Sequence, residues 1–302
     1  MATMTIPITY TRVFGATPES GNPCPVVGEA DALTAEQMQG LAAQFGVETA
    51  FVLSPQHAGA DLRLRYFVPR HEMEMCVHAT VGVVTVLARQ HRLPATTVKI
   101  ETPLGMLPVH WRQEGEDIWV TVEQFPPTFA PEQLSGAEVA AVLGIAEAAI
   151  DLDVGPIQSV SVSRPKIMVP LGDFAALDNC APDAEQVGLL CERYHTTGLY
   201  PFTLKTRSAE RQVEARQFPR QAGYLEDAAT GVAAAALAAY LVRYGVFGSP
   251  PEGWQKFTVG QGEAMGQPSL MRAAALVEAG QVTQTRITGQ ARILTEERKA
   301  VP

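Results

Sequence analysis

The sequence predicts an α+β protein of two pseudo-symmetric lobes, each a barrel-like sheet around a central helix. Three observations carry this. The stretch LRLRYFVPRHEMEMCVHATVGVVTVLARQHRL from Leu62 resembles VEARQFPRQAGYLEDAATGVAAAALAAYLVRYGV from Val213, with Pro69-Arg70 and Ala79-Thr80 matching Pro219-Arg220 and Ala229-Thr230 at an offset of 150 residues. VETAFVL from Val47 faces TGLYPFTL from Thr197 at the same spacing. That period is too long for a solenoid and suits a pair of related lobes.

Each copy reads as strand, Pro-Arg turn, polar loop and helix. Alternation of Leu62, Leu64, Tyr66 and Val68 marks a half-buried strand. Val81 to Leu87 and Val232 to Leu241 are apolar on nearly every face, as expected of a helix enclosed by other structure. Equivalent loops are then expected to face one another across a cleft. The boundary falls near Gln124 to Thr128, after strand-like IWVTVE and before helix-like PEQLSGAEVAAVLG. We therefore expect residues 1–123, completed by 286–302, in the first lobe and 124–285 in the second. The charged C-terminal EERKAVP is expected to fray.

Composition narrows the function. The chain has 302 residues, 46% of them apolar and 18% charged, which is the make-up of a folded globular protein. A net charge of -9 lacks the basic footprint of a nucleic-acid binder. No apolar run is long enough for a membrane span, and MATMTIPITYTRVF reads as no export signal, so a cytoplasmic location is expected. Cys24, Cys76, Cys180 and Cys191 form no CxxC pair and are expected to be free thiols.

The chemistry is expected in the two loops that open the apolar helices. MEMCVHATVG puts Cys76 and His78 where unpaired helix amides favour negative charge. LEDAATGVAA puts Glu226, Asp227 and Thr230 at the other helix, so a carboxylate could be clamped from either side. Capping by Asp and Thr and space-filling by Cys are the bland alternatives; recurrence of a polar loop before both featureless helices favours function. Gly260-x-Gly262 with Gly266 has the wrong spacing for a dinucleotide, and no GxSxG is present. His71, Cys76 and His78 match no metal signature, so no metal is expected.

GNPCPVV at Gly21, FGVETAFVL at Phe45, RYFVPRHEMEMCVHATVG at Arg65, ETPLGMLPV at Glu101, LEDAATGVAA at Leu225 and QGEAMGQPS at Gln261 together resemble the ordered signatures of the phenazine-biosynthesis PhzF family. The resemblance implies the diaminopimelate epimerase-like fold and a cofactor-independent isomerase or epimerase that moves a proton on a small carboxylate held between the lobes. It implies Glu48 as acid/base, His78 as the loop histidine and Asp227 as the second-loop aspartate, with Asn22, Thr80, Gly82, Thr230 and Gly231 contacting substrate. A homodimer is the expected assembly.

The chain departs from the family pattern where Ala228 replaces Pro and Val232 replaces Ser, and at Val77-His78-Ala79-Thr80 where GHPT is usual. MCVHA is similar to the MCGHG motif of proline racemases, but no second cysteine occupies the other loop. The residues leave open whether Cys76 is a second acid/base group or a loop thiol filling space. An amino- or imino-acid racemase or dehydratase using Cys76 is one alternative, and a non-catalytic binding protein is another. A Cys-His hydrolase would require the Cys76 thiol to reach an imidazole, which residues two apart are expected to manage only with unusual geometry.

Overall fold

The computed structural model describes residues 5–301. The chain divides into two compact units, one formed by the described residues of Met1–Glu123 and Thr288–Pro302, the other by Gln124–Ile287.

The first unit begins with strands β1 (Thr5–Val13) and β2 (Asn22–Val27), then helix α1 (Ala35–Phe45). Thr34 and Gln37 form a reciprocal capping box at its start, and Gly46 ends it with φ 70°. The buried Met38, Leu41 and Ala42 face a cluster that includes Ile6, Ile8, Phe51 and Phe67. Strands β3 (Thr49–Leu53), β4 (Leu62–Phe67) and β5 (Glu72–Met73) follow, then helix α2 (Val77–Arg89) and strands β6 (Thr97–Thr102), β7 (Gly105–Glu114) and β8 (Asp117–Glu123).

The second unit holds β9 (Thr128–Gln133), α3 (Gly136–Leu143), β10 (Gln158–Ser161), β11 (Lys166–Leu171), α4 (Phe174–Asp178), α5 (Ala184–Arg193), β12 (Gly198–Thr203), β13 (Val213–Ala215), β14 (Phe218–Pro219), α6 (Gly231–Arg243), β15 (Gly253–Gln261) and β16 (Ser269–Glu278). Strand β17 (Gln281–Gly289) leads back to the first unit, where β18 (Ala291–Ala300) pairs antiparallel with β1.

In both units antiparallel pairs are joined by parallel ones: β2 with β3 and β4 with β6 in the first, β11 with β12 and β13 with β15 in the second. Helix α2 is buried from Val77 to Ala88, against β1, β2, β3, β8 and β18. Helix α6 is buried from Gly231 to Val242, against β10, β11, β15 and β16. The alanines of α6 favour helix intrinsically, whereas the valines of α2 do not; enclosure by strands overrides that weaker preference. Each unit is thus a sheet wound about a helix, the diaminopimelate epimerase-like arrangement.

Two local expectations are corrected. The charged C-terminal segment does not fray, because β18 runs through Ala300 in register with β1; Pro302 lies outside the described residues. The segment read as helix from Pro131 starts as the end of a strand, and helix begins only at Gly136. A third concerns the repeat. Val77 opens α2 and Gly231 opens α6, so the loop before the second helix is about one helical turn longer than the 150-residue offset allows. Equal spacing therefore holds at β3 and β12 and slips before the helices.

Among the described residues, no helix is long and apolar enough to cross a membrane.

Candidate active site

In the first unit three predicted residues come together. Gly46 reverses the chain after α1 and delivers Glu48 just ahead of β3. Cys76 is the N-cap of α2, with extended backbone at φ -144° and ψ 108°, and His78 is in the first turn. His78 Nε2 lies 3.1 Å from Glu48 Oε2, with side chains 3% and 11% exposed. His78 Nδ1 lies 3.3 Å from Cys76 Sγ and 3.5 Å from Asn22 Nδ2. Because the Asn22 amide nitrogen can only donate, the network assigns Nδ1 as acceptor and places the ring hydrogen on Nε2, aimed at the carboxylate.

The result is a chain: thiol, imidazole, carboxylate. A proton passed from Cys76 to Nδ1 would leave a thiolate beside an imidazolium that Glu48 stabilises, the logic of a nucleophile oriented and activated by a base. Residues two apart were expected to bring thiol to imidazole only with unusual geometry; an extended N-cap residue does so here. An extended N-cap residue does not follow the helical spiral, so its side chain can turn toward the first turn of the helix.

Asn22 is set by Gly21, whose φ is 101° and where a Cβ would lie 2.7 Å from the Val13 carbonyl oxygen and 2.6 Å from the Gly15 nitrogen. The motif GNP thus needs its glycine to hold Asn22 at the histidine.

Two predicted contacts do not fit their assigned role. Thr80 is fully buried and its hydroxyl donates to the Cys76 carbonyl at 2.8 Å and pairs with the Tyr66 hydroxyl at 2.8 Å. Gly82 is the sixth residue of α2, so its amide belongs to the helical ladder. The amides of Val77, His78 and Ala79 are the ones to which helix geometry gives no partner inside α2. Gly82 instead gives room to Thr11, whose hydroxyl oxygen lies 3.0 Å from where a Cβ would be.

The ligand atoms of Glu48, Cys76 and His78 lie within 4.8 Å of one another, and zinc accepts all three donor types. His71 is not part of this group. Cys76 Sγ lies 3.3 Å from Nδ1 and 3.9 Å from Nε2 of His78, and Nε2 also meets Glu48 at 3.1 Å, so the same three side chains form a hydrogen-bonded group as they stand.

In the second unit, Asp227 is buried beneath the start of α6. Its carboxylate accepts from the Thr230 hydroxyl, and its backbone N–H donates to the Gln217 carbonyl at 3.0 Å. Thr230 precedes Gly231, whose N–H is free of the helical ladder as predicted for an anion-binding amide. Glu226, beside Asp227, is taken up differently: Arg216 grips it with Nε at 2.9 Å and Nη2 at 2.7 Å. Arg216 Nη1 also donates to the carbonyls of Leu177, Asp178 and Cys180.

Gln261 was not among the predicted site residues. Its Nε2 donates to the Asp227 carbonyl at 2.7 Å and to the Thr230 hydroxyl at 3.1 Å. Its Oε1 accepts from the Tyr200 hydroxyl at 2.9 Å and from the Thr230 N–H at 3.3 Å. Every hydrogen-bonding valence of this buried amide is thus used on the loop or its support. Burial, reinforced by the nearby Asp227 charge, pushes the Tyr200 phenol far up, keeping it a donor. Gly262, with φ 84°, passes so close to the loop that a Cβ would lie 2.7 Å from the Ala228 carbonyl oxygen. The signal was present in the QGEAMGQPS motif, which carries Gln261 and Gly262 together.

A family profile described as PhzC-PhzF, phenazine biosynthesis-like protein, matches residues 11–297. The chain belongs to that family. Among relatives of this PhzC-PhzF member, an uncharacterized isomerase, YfhB of Bacillus subtilis, is 32% identical over 93% of this chain and 94% of its own. A trans-2,3-dihydro-3-hydroxyanthranilate isomerase of Pseudomonas chlororaphis is 32% identical over 91% of this chain and 92% of its own. The crystal structure of a PhzF-family phenazine biosynthesis protein from Bacillus anthracis superposes with a TM-score of 0.87 at 27% identity, over 99% of this chain and all of that one. The PhzC-PhzF chain is an enzyme of the isomerase class.

Proposed function

We propose that this chain relocates a proton on a small organic acid without a cofactor, using Glu48 as the acid/base group and the first-turn amides of α2 to hold the carboxylate. The observation that carries the reading is the buried contact between Glu48 and the His78 ring, which orients a carboxylate that can take and return a proton. The amides of Val77, His78 and Ala79, which have no partner inside α2, supply donors for a carboxylate and for the charge that develops during transfer. Asp227, Thr230 and Gly231, in the polar loop before α6, are assigned to substrate on the strength of the paired loops in the sequence.

A second reading is favoured by the 3.3 Å separation of Cys76 from His78. With the thiol ionised through the imidazole, Cys76 becomes the base and the reaction becomes racemisation or epimerisation at a carbon next to a carboxylate.

Proton NMR in deuterated buffer separates the two. The panel would contain small amino and unsaturated acids, including trans-2,3-dihydro-3-hydroxyanthranilate, the compound in the relatives' names. Loss of turnover in Glu48→Gln with retention in Cys76→Ser supports the first reading. The reverse pattern, with deuterium entering the α position, supports the second. Absence of turnover across the panel by the folded parent argues against both and favours a binding protein.

A further inference from the structure

Local spacing of His71, Cys76 and His78 gives no metal signature, but the third donor that meets Cys76 and His78 is Glu48, delivered by the turn after α1. Three chain segments thus bring a thiol, an imidazole and a carboxylate to one place, with Cys76 and His78 buried and the Glu48 side chain nearly so. The same three donor types are those that zinc accepts.

Zinc bonds of about 2.0–2.3 Å to nitrogen, oxygen and sulfur set the ligand atoms of a tetrahedral site roughly 3.3–3.6 Å apart. His78 Nε2 stands 3.1 Å from Glu48 Oε2 and 3.9 Å from Cys76 Sγ, so small side-chain shifts bring both partners to those separations around one ion. The ring hydrogen assigned to Nε2 then sits on Nδ1, where Asn22, with its amide turned over, offers its oxygen as acceptor. Charge argues in the same direction. A thiolate and a carboxylate cancel a divalent cation, so the complex occupies this buried place with no net charge. Thiolate and imidazole donors also select zinc over magnesium and calcium, which take oxygen ligands.

We propose that Glu48, Cys76 and His78 form a Zn²⁺ site whose occupation switches the protein off. Binding one Zn²⁺ releases one proton from the thiol–imidazole pair, whichever of the two holds it, and leaves the fourth zinc position to water. No electron is transferred. A carboxylate and a thiolate held on the metal no longer take up a proton from substrate. The inhibition rests on the reading of these side chains as acid/base groups; the binding does not. Cys76, the residue that sets this loop apart, is what completes the site, because without the thiolate only two donors and one anionic charge face the ion.

Calorimetric titration of the full chain with Zn²⁺, after chelator treatment and phosphine reduction, tests the proposal, with Mg²⁺ as the control ion. One Zn²⁺ per chain is expected, with about one proton released, read from the dependence of the heat on the buffer's ionisation enthalpy. Affinity should fall at least about tenfold in Cys76→Ser and in Glu48→Gln and hold in Cys180→Ala. Co²⁺ should give a thiolate-to-metal charge-transfer band that Cys76→Ser lacks. In the parent, where the folding of a variant is not at issue, Zn²⁺ should slow iodoacetamide labelling of Cys76 at least about tenfold, and EDTA should restore it. Zinc affinity that neither variant weakens, labelling unchanged by zinc, or Mg²⁺ bound as tightly as Zn²⁺ would each overturn the site and leave the acid/base reading untouched. Zinc bound with these dependences while turnover of a converted substrate stays undiminished would overturn the switch and the acid/base reading together.

Discussion

His78 stands between Cys76 and Glu48, with Nδ1 3.3 Å from the thiol and Nε2 3.1 Å from the carboxylate. A single ring therefore couples a potential nucleophile to a potential base, and replacing it should disturb both. In His78→Asn, iodoacetamide should label Cys76 at neutral pH at least about tenfold more slowly than in the parent, since the thiolate loses its imidazolium partner. Mass spectrometry of the alkylated peptide measures this. Equal labelling rates would mean that the thiol ionises without the histidine.

Gln261 ties Tyr200, Asp227 and Thr230 together through one buried amide. Gln261→Leu keeps the size but strands the Tyr200 hydroxyl and the Asp227 carbonyl, so a loss of about 2–4 kcal/mol is expected in urea unfolding. Turnover should fall further than stability explains at temperatures where the variant is fully folded, because the second loop is no longer held.

Gly262 and Gly115 both have positive φ, at 84° and 62°, yet they differ in surroundings. A Cβ at Gly262 would lie 2.3 Å from the Gln267 carbonyl oxygen, whereas nothing stands within 4 Å of one at Gly115. Gly115→Ala should cost about 1 kcal/mol from backbone strain alone. Gly262→Ala should cost several kcal/mol, because backbone must move. Parallel thermal melts rank the two.

Burial pushes the Cys180 thiol up to about 12 from an ordinary value of 9.0. The unfolded chain thus loses this proton at lower pH than the folded one. The stability this contributes is fully present below about pH 9 and is lost as the pH climbs from there toward 12. Cys180→Ala should flatten the stability curve over that interval, measured by urea unfolding at stepped pH. An unchanged slope would place the alkaline sensitivity elsewhere.

Much of this was legible in the sequence, and the failures have physical causes. The apolar helices announced their own enclosure, since no surface helix is apolar on all sides. Thr80 and Gly82 were expected at substrate from the family resemblance, but both lie inside α2, whereas Thr230 stands at the N-cap position of α6. Gln261 escaped because its partners are 31 to 61 residues away, a distance over which no local pattern operates.

The central claim is that Glu48 moves the proton. Proton NMR in deuterated buffer, following rearrangement and label together on a substrate the parent converts, tests it most directly. Glu48→Gln should lower the rate of both by about 100-fold or more while circular dichroism shows an intact fold. A Glu48→Gln protein that converts and labels the substrate at the parent's rate would contradict the account.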